Sequence, residues 1–165
     1  EFLGREDVLL EDSWFARDLK DIRLFHEFRH DLPLMLNEEN SRLGRIKIGT
    51  DMAVGNAHFI SMMNFYKRNL DSAGIDHVVF GHIGDNHLHI NLLPEKAQMA
   101  QAQTLYQTLI NQVLQWEGTV SAEHGIGKLK KNYFAQMVGE NALEELRRVK
   151  KALDPAWILG VGNIL

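Results

Sequence analysis

The sequence has 165 residues, contains no cysteine, and carries 18 basic and 22 acidic side chains for a formal net charge of −4. This length suits one compact domain and is short for an enzyme that also binds a nucleotide cofactor of its own. Neither sign of charge is gathered in a long block, which argues against nucleic acid and anionic membrane surfaces as partners. Without thiolates, any metal must be bound by histidine, carboxylate or carbonyl groups.

The composition also bears on the cellular location. No apolar run reaches the roughly 20 residues of a membrane span, and the acidic start EFLGREDVLLED is not typical of a signal peptide. The lack of cysteine fits a reducing compartment. We therefore expect a cytoplasmic protein, free or held at a membrane by a partner, and the lack of an initiator methionine indicates a fragment of a longer chain.

The first half of the chain predicts a helix, a strand and a second helix. Residues 13–40 predict an amphipathic helix that is capped by Asp12 or Ser13 and ends or kinks at Pro33. Its apolar positions recur at spacings of three and four: Phe15, Leu19, Ile22, Phe25 and Phe28. Residues 45–54, RIKIGTDMAV, are β-branched and roughly alternating, which predicts a strand. Residues 56–70 predict a helix that the following DSAG breaks.

The second half predicts a hairpin followed by helices. Residues 77–94, HVVFGHIGDNHLHINLLP, contain two β-rich runs around a Gly-Asp-Asn centre with strong turn chemistry. Residues 95–117 predict a long amphipathic helix. GTVSA, residues 118–122, predicts a short strand that leads into the glycine-rich turn EHGIG, residues 123–127. Two helices then end at Asp154-Pro155. This order favours an α+β fold, a ferredoxin-like antiparallel sheet with helices packed on one face.

Three of the eight histidines, His82, His87 and His89, fall within one eight-residue window of the predicted hairpin. On one regular strand, residues seven apart face opposite sides, so His82 and His89 share a face only if the chain turns between them. The Gly-Asp-Asn centre supplies that turn. Because His87 and His89 alternate onto the same face, the residues alone leave open which of them joins His82.

Two imidazoles, a carboxylate and an open position are the ligand set of a catalytic zinc or similar divalent site. Glu123, in the glycine-rich turn, is the best candidate for the carboxylate. An α-hydroxy acid can bind such an ion through its hydroxyl and one carboxylate oxygen, and the ion then lowers the pKa of the hydroxyl. His124 is placed to take that proton. Taken singly, each of these histidines is more typical of a surface or hydrogen-bonded residue.

Two long motifs carry a family resemblance. FGHIGDNHLHINLLP, residues 80–94, and GTVSAEHGIGK, residues 118–128, resemble the family forms G-H-x-G-D-G-N-L-H and S-x-E-H-G-I-G. The family is the C-terminal domain of the FAD-linked oxidases of the vanillyl-alcohol-oxidase type, which includes glycolate oxidase, D-lactate dehydrogenase and D-2-hydroxyglutarate dehydrogenase. KIGTDMAV and the terminal LDPAWILGVGNIL are also similar to family landmarks, so the resemblance covers the chain from about Phe28 onward.

The resemblance implies a flavin-dependent D-2-hydroxy acid dehydrogenase or oxidase, in which a hydride passes from the α-carbon to FAD. It selects His89, with His82 and Glu123, as ligands of a divalent metal, usually zinc, and His124 as the base. It also implies substrate-binding roles for three residues: Asn91 beside the substrate, and Arg29 and Lys47 near its carboxylate. Without the resemblance, these three would be interpreted as solvated charges or a strand-end amide. The implied partners are a 2-hydroxy acid, an upstream FAD-binding domain, and a protein or quinone that accepts electrons.

The sequence departs from the family pattern in three places. Asn86-His87 replaces the commoner Gly-Asn in the turn and adds another imidazole. The tail has Leu-Gly-Val-Gly-Asn where many members have Leu-Asn-Pro-Gly-Lys, so the role of that lysine is lost. No glycine-rich phosphate loop in a strand-to-helix context is found, so we expect residues 1–165 to be the C-terminal domain without the FAD domain.

Two other functions are compatible with the same residues. A metal-dependent hydrolase would use the same His and Glu ligands to activate water, since a fold does not dictate the chemistry of a site. A non-catalytic α+β binding module would use the histidines only structurally. The two long motifs favour the oxidoreductase.

Overall fold

The structure is a computed structural model that describes residues 13–165, and the chain divides into two units, Glu1–Gly44 and Arg45–Leu165. In the first unit, helix α1 spans Leu19–Arg42. Asp18 caps it, because its side chain accepts the N–H groups of Lys20 and Asp21 at 2.8 and 2.9 Å. Such a cap satisfies two of the donors that every helix start leaves free.

The predicted cap of α1 is wrong, and of the two outcomes predicted for Pro33, an end or a kink, the end is contradicted. Ser13 precedes the helix and does not cap it, and Asp12 lies outside the described residues. Pro33 does not end the helix, which continues to Arg42. Proline removes one hydrogen bond, but its fixed φ is itself helical, so the turns on either side still form. The apolar positions Leu19, Ile22 and Phe28 are exposed.

The second unit is built around one antiparallel sheet. Its strands are β1, Ile48–Gly49, β2, Met52–Ala53, β3, His77–His82, and β4, His87–Leu92. Strand β4 is central, because β3 pairs along one side and β1 and β2 pair along the other. β3 and β4 form the predicted hairpin, with a turn at residues 83–86 in which Asn86 adopts a left-handed φ of 51°.

The strand predicted at residues 45–54 is divided in two, at Thr50 and Asp51. The register does not shift across this break, since Gly49 pairs with Asn91 and Met52 pairs with Leu88. At Thr50 a side chain replaces a backbone acceptor: the Thr50 Oγ1 accepts the N–H of Ile90 at 2.8 Å. The Thr50 carbonyl is thereby released for another donor.

Alternation along β4 separates the core from the opposite face. Leu88, Ile90 and Leu92 are buried in the hydrophobic core. Helix α2, Phe59–Ala73, and helix α3, Met99–Gln115, supply most of the remaining core. These core side chains are Phe59, Met62, Tyr66, Leu70, Ala102, Leu105, Leu109, Ile110 and Val113. The structure confirms the predicted α+β class and the apolar stripe of the long helix.

The segment that follows α3 forms less regular structure than predicted. GTVSA is not a strand; it makes a single antiparallel bridge between Ala53 and Thr119, extended by a bond from the Ala122 N–H to the Asp51 carbonyl at 3.0 Å. Helix α4, Lys131–Leu153, then contains a break at Gly139, where φ is +76°. This break separates the two helices that the sequence predicts. Of the helices in the described part of the chain, none is long and apolar enough to cross a membrane.

Gly81 brings the two hairpin strands into close contact. A methyl group at this position would meet the carbonyl oxygen of His87 and lie 2.9 Å from the Cα of Leu88. Gly81→Ala should therefore lower the free energy of unfolding by about 1–3 kcal/mol, the usual cost of overpacking. Gly84→Ala, in the turn of the same hairpin, is the matched control, because no atom lies within 4 Å of its added methyl group. Chemical denaturation measures both, and equal stability of the two variants would contradict the packing described here.

Candidate active site

The hairpin places three imidazoles on one face of the sheet. His82 and His87 are directly paired across the strands, and His89 lies two residues further along β4. Residues paired across strands share a face, as do residues two apart. The ring centres of His82 and His87 are 5.8 Å apart, and those of His87 and His89 are 4.3 Å apart. The three imidazoles therefore form a continuous row opposite the hydrophobic core.

Glu123 projects from the glycine-rich turn toward this row. Its Oε1 lies 3.4 Å from His82 Nε2, and its Oε2 lies 3.2 Å from His89 Nε2. Nitrogens of His87 and His124 each lie 4.0 Å from the same Oε2. One carboxylate is thus within 4.0 Å of four imidazoles. The hydrogen bond with His89 lowers the pKa of Glu123, burial opposes this, and the charges of His82 and His87 lower it further.

Thr50 orients His89. The Nδ1 of His89 lies 2.9 Å from the Thr50 carbonyl oxygen, which can only accept, so Nδ1 carries a proton. In a neutral imidazole the other nitrogen, Nε2, then holds a lone pair that faces Glu123 Oε2. Two lone pairs repel each other at 3.2 Å, so this contact is favourable only with a proton or a metal ion between the two atoms. A backbone carbonyl behind an imidazole is also the usual support of a metal-binding histidine.

Asp51 holds the segment that carries Glu123. Its carboxylate is 3% exposed and accepts two consecutive backbone N–H groups, from Glu123 at 3.1 Å and from His124 at 2.9 Å. Ser121 Oγ donates to it at 3.1 Å, and Lys130 Nζ donates at 2.8 Å. Burial alone would raise the pKa of Asp51, but the bond and charge of Lys130 and the His124 amide hold that pKa well below its usual value.

His87 is the most buried imidazole of the row. Its side chain is 5% exposed, and its Nε2 lies 2.9 Å from Asp51 Oδ1 without the alignment of a hydrogen bond. Among the described residues, this nitrogen therefore has no hydrogen-bond partner. Its Nδ1 faces Glu123. A buried nitrogen that faces a carboxylate without an aligned hydrogen bond is one observation that fits an ion in this row.

The donors suit a divalent cation. Among the described residues, three groups offer one donor atom from each residue with these atoms within 4.8 Å of one another: Asp51, His87 and His89; His82, His87 and Glu123; and His89, Glu123 and His124. The predicted trio of His82, His89 and Glu123 is not one of these groups, and the two imidazoles approach different oxygens of the Glu123 carboxylate. Both imidazoles nevertheless contact it, so the trio stays a prediction. Imidazole and carboxylate donors without thiolates suit zinc and related divalent ions.

The predicted base lies at the open edge of the site. The side chain of His124 is 67% exposed, and its ring centre lies 5.5 Å from that of His89. It is therefore accessible to a small molecule while remaining beside the row of imidazoles.

The three predicted substrate-binding residues occupy different places. Asn91 follows His89 on the same face of β4 and is 9% exposed. Lys47 is exposed and lines a cavity of about 570 Å³ together with Gly49, Tyr106 and Tyr133. Arg29 is an exposed residue of α1, in the first unit. The structure thus brings Asn91 to the imidazole row, and the roles of Lys47 and Arg29 stay predictions.

Sequence reasoning missed four supporting residues: Thr50, Asp51, Ser121 and Lys130. A signal for Asp51 was present, because an acidic residue at the centre of an otherwise β-branched strand must find a partner if it is buried. No comparable signal exists for Lys130, which is one of several lysines in a polar stretch. The contacts of these residues depend on the tertiary fold.

Residues 5–164 match the family model of the C-terminal domain of FAD linked oxidases. The D-lactate dehydrogenase [cytochrome] of Kluyveromyces lactis is 32% identical over 115 residues, which are 70% of this chain and 20% of that protein. The D-2-hydroxyglutarate dehydrogenase of Xanthomonas citri is 39% identical over 94 residues, which are 54% of this chain and 20% of that protein.

The glycolate oxidase protein GlcD of Bacillus subtilis is 25% identical over 130 residues, which are 75% of this chain and 28% of that protein. The chain therefore spans about a fifth to just over a quarter of the length of these relatives. The family model, by contrast, covers nearly the whole chain and includes both histidine-bearing motifs. The chain belongs to the family of FAD linked oxidases, C-terminal domain.

Proposed function

We propose that this chain is the substrate- and metal-binding part of a flavin-dependent dehydrogenase or oxidase that acts on D-2-hydroxy acids. The observation that carries the proposal is the convergence of His82, His87, His89 and His124 on the Glu123 carboxylate, within the two motifs of the family. Three relatives are named for oxidation of D-lactate, D-2-hydroxyglutarate and glycolate, all small 2-hydroxy acids. Membership in an FAD-linked family favours this activity over a metal-dependent hydrolase.

His82, His89 and Glu123 would hold the divalent ion, for which we propose zinc. When bound, the ion would supply positive charge to the substrate's oxygen atoms, and FAD would serve as the acceptor of the hydride. His89 is fixed by Thr50 with its Nε2 directed at Glu123, so the two donors do not have to be organised during binding. His87 is a further candidate ligand, since its buried Nε2 has no aligned partner among the described residues.

His124 would take the proton of the substrate hydroxyl. Removing that proton while the α-carbon loses a hydride converts the 2-hydroxy acid to a 2-oxo acid, and the two electrons leave with the hydride. The exposed imidazole of His124 is accessible to the hydroxyl, and its ring lies beside that of His89.

Residues around the row would bind the rest of the substrate. Asn91 lies on the face of the imidazoles and can donate to the acid through its amide. Lys47 and Arg29 are proposed to bind the carboxylate, and the cavity beside Lys47 is large enough for a small acid. A companion FAD-binding domain, an electron-accepting protein or quinone, and a cytoplasmic location complete the proposal.

The first test is metal binding by the holoenzyme. We expect about one zinc ion per chain. The affinity for Zn²⁺ should fall on the order of 100-fold in Glu123→Gln and His89→Ala, since loss of a residue that only supports a metal ligand already costs about 10–100-fold. Competition with a chromogenic chelator measures the affinity. His77→Ala is the matched control, because His77 lies on the same hairpin but bonds to the Ile75 carbonyl. Wild-type Zn²⁺ affinity in Glu123→Gln would remove this carboxylate from the site.

The second test is flavin reduction. His124→Ala should slow reduction of the flavin by D-lactate or D-2-hydroxyglutarate by about 10²–10⁴-fold, the usual contribution of a general base. Zn²⁺ affinity should change far less than in Glu123→Gln. Stopped-flow absorbance measures the reduction, with the L-enantiomers as a control for stereochemistry. An unchanged rate of flavin reduction in His124→Ala would exclude this residue as the base.

A further inference from the structure

Asp51 lies where both parts of the site meet. It occupies the gap between β1 and β2, and the constant register of those strands places it opposite His89 on β4. Its backbone carbonyl binds the Ala122 N–H at 3.0 Å, so the segment leading to Glu123 runs directly beside it. A residue in this position can bond to the sheet and to the glycine-rich turn at once, and so fix the turn relative to the sheet.

The carboxylate of Asp51 fixes the backbone of that turn. Two consecutive N–H groups, from Glu123 and His124, are bound by the two oxygens of one buried group. Consecutive amides can meet one carboxylate only over a narrow range of backbone dihedrals, so the directions in which the Glu123 and His124 side chains leave the chain are restricted as well. Without this acceptor, glycines at positions 125 and 127 would leave the turn free to adopt many conformations.

Lys130 supplies the positive charge that stabilises the buried carboxylate of Asp51. Its Nζ lies 2.8 Å from Asp51 Oδ2 and 3.1 Å from Ser121 Oγ, and its side chain is 14% exposed. A buried carboxylate without a counter-charge would be strongly unfavourable, whereas one with a lysine and further hydrogen-bond donors is satisfied. Lys130 directly precedes α4 and therefore ties the turn to that helix as well.

We propose that Asp51 is a positioning residue of the active site: with Lys130 as its counter-charge, it holds the Glu123–His124 backbone so that the carboxylate and the base face the imidazoles of the hairpin. In this proposal Asp51 acts through the backbone of Glu123 and His124 and is not itself a ligand of the substrate or the ion, although its Oδ1 also lies 2.9 Å from His87 Nε2. The consequence for catalysis rests on the proposed function. The consequence for the conformation of the turn does not.

The chain offers a matched control for a role in stability alone. Asp154 is also buried, and it also accepts two consecutive backbone N–H groups, from Ile158 at 3.1 Å and Leu159 at 3.0 Å, and a lysine, Lys150. None of these partners belongs to the imidazole row. Asp154→Asn therefore removes the same kind of interaction without altering the support of Glu123.

The test compares Asp51→Asn with Asp154→Asn in the holoenzyme. Asp51→Asn should raise the exchange rate of the amides in residues 119–125 about fivefold or more, as expected when hydrogen bonds of a local segment are lost. It should also weaken Zn²⁺ binding on the order of tenfold and lower kcat more than it raises KM. Asp154→Asn should lower Tm and leave all three quantities at wild-type values. Hydrogen–deuterium exchange by mass spectrometry, chelator competition and steady-state kinetics measure them.

A second variant covers failure of Asp51→Asn to fold. The double variant Asp51→Asn with Lys130→Met removes the carboxylate and ammonium together, so no unpaired charge is buried, and it should show the same faster exchange and weaker Zn²⁺ binding. Wild-type exchange in residues 119–125 of the folded variant would overturn the proposal. So would equal changes in Asp154→Asn. If the wild-type holoenzyme neither binds Zn²⁺ nor reduces its flavin, the proposed function fails, and the exchange rates alone still decide whether Asp51 holds the turn.

Discussion

The site depends on the alternation of side chains along one central strand. β4 is paired on both sides, so its even-numbered residues from Leu88 to Leu92 pack into the core and His87, His89 and Asn91 face the opposite way. A shift of one residue in register would bury the imidazoles in the core and expose the leucines. The hydrophobic core that stabilises this sheet therefore also determines which face carries the chemistry.

The segment between β1 and β2, which pairs with β4, supports the site together with the hairpin. Thr50 gives its side chain to the ladder and its carbonyl to His89, and Asp51 gives its carboxylate to the turn that carries Glu123. Two adjacent residues thus support donors that are 34 positions apart in the sequence. The proposed chemistry needs this support. Residues that hold metal ligands in place keep the ligands in the orientation that binds the ion.

Local patterns predicted the hairpin, the long helix and the row of imidazoles, since strand alternation and turn chemistry are properties of short segments. They failed where tertiary contacts decide the outcome. Residues 118–122 form only a bridge to Ala53, and the Ala122 N–H and the Ser121 hydroxyl bond to Asp51. The predicted cap of α1 is wrong for a local reason: the helix begins at Leu19, so Asp18 caps it and neither Asp12 nor Ser13 does. The ligand set required the family motifs, because alternation could not distinguish His87 from His89. Lys130 gave no signal at all, since its role exists only once the turn is folded against Asp51.

In the proposed site, the imidazoles of the hairpin and the Glu123 carboxylate share one cation. Anomalous diffraction at the zinc edge, from crystals of the zinc-loaded holoenzyme, tests it most directly. One strong peak within coordination distance of Glu123, His89 and His82 is the expected result. A fully loaded protein whose anomalous peak lies away from Glu123, with that carboxylate bound only to protonated imidazoles, would contradict the account.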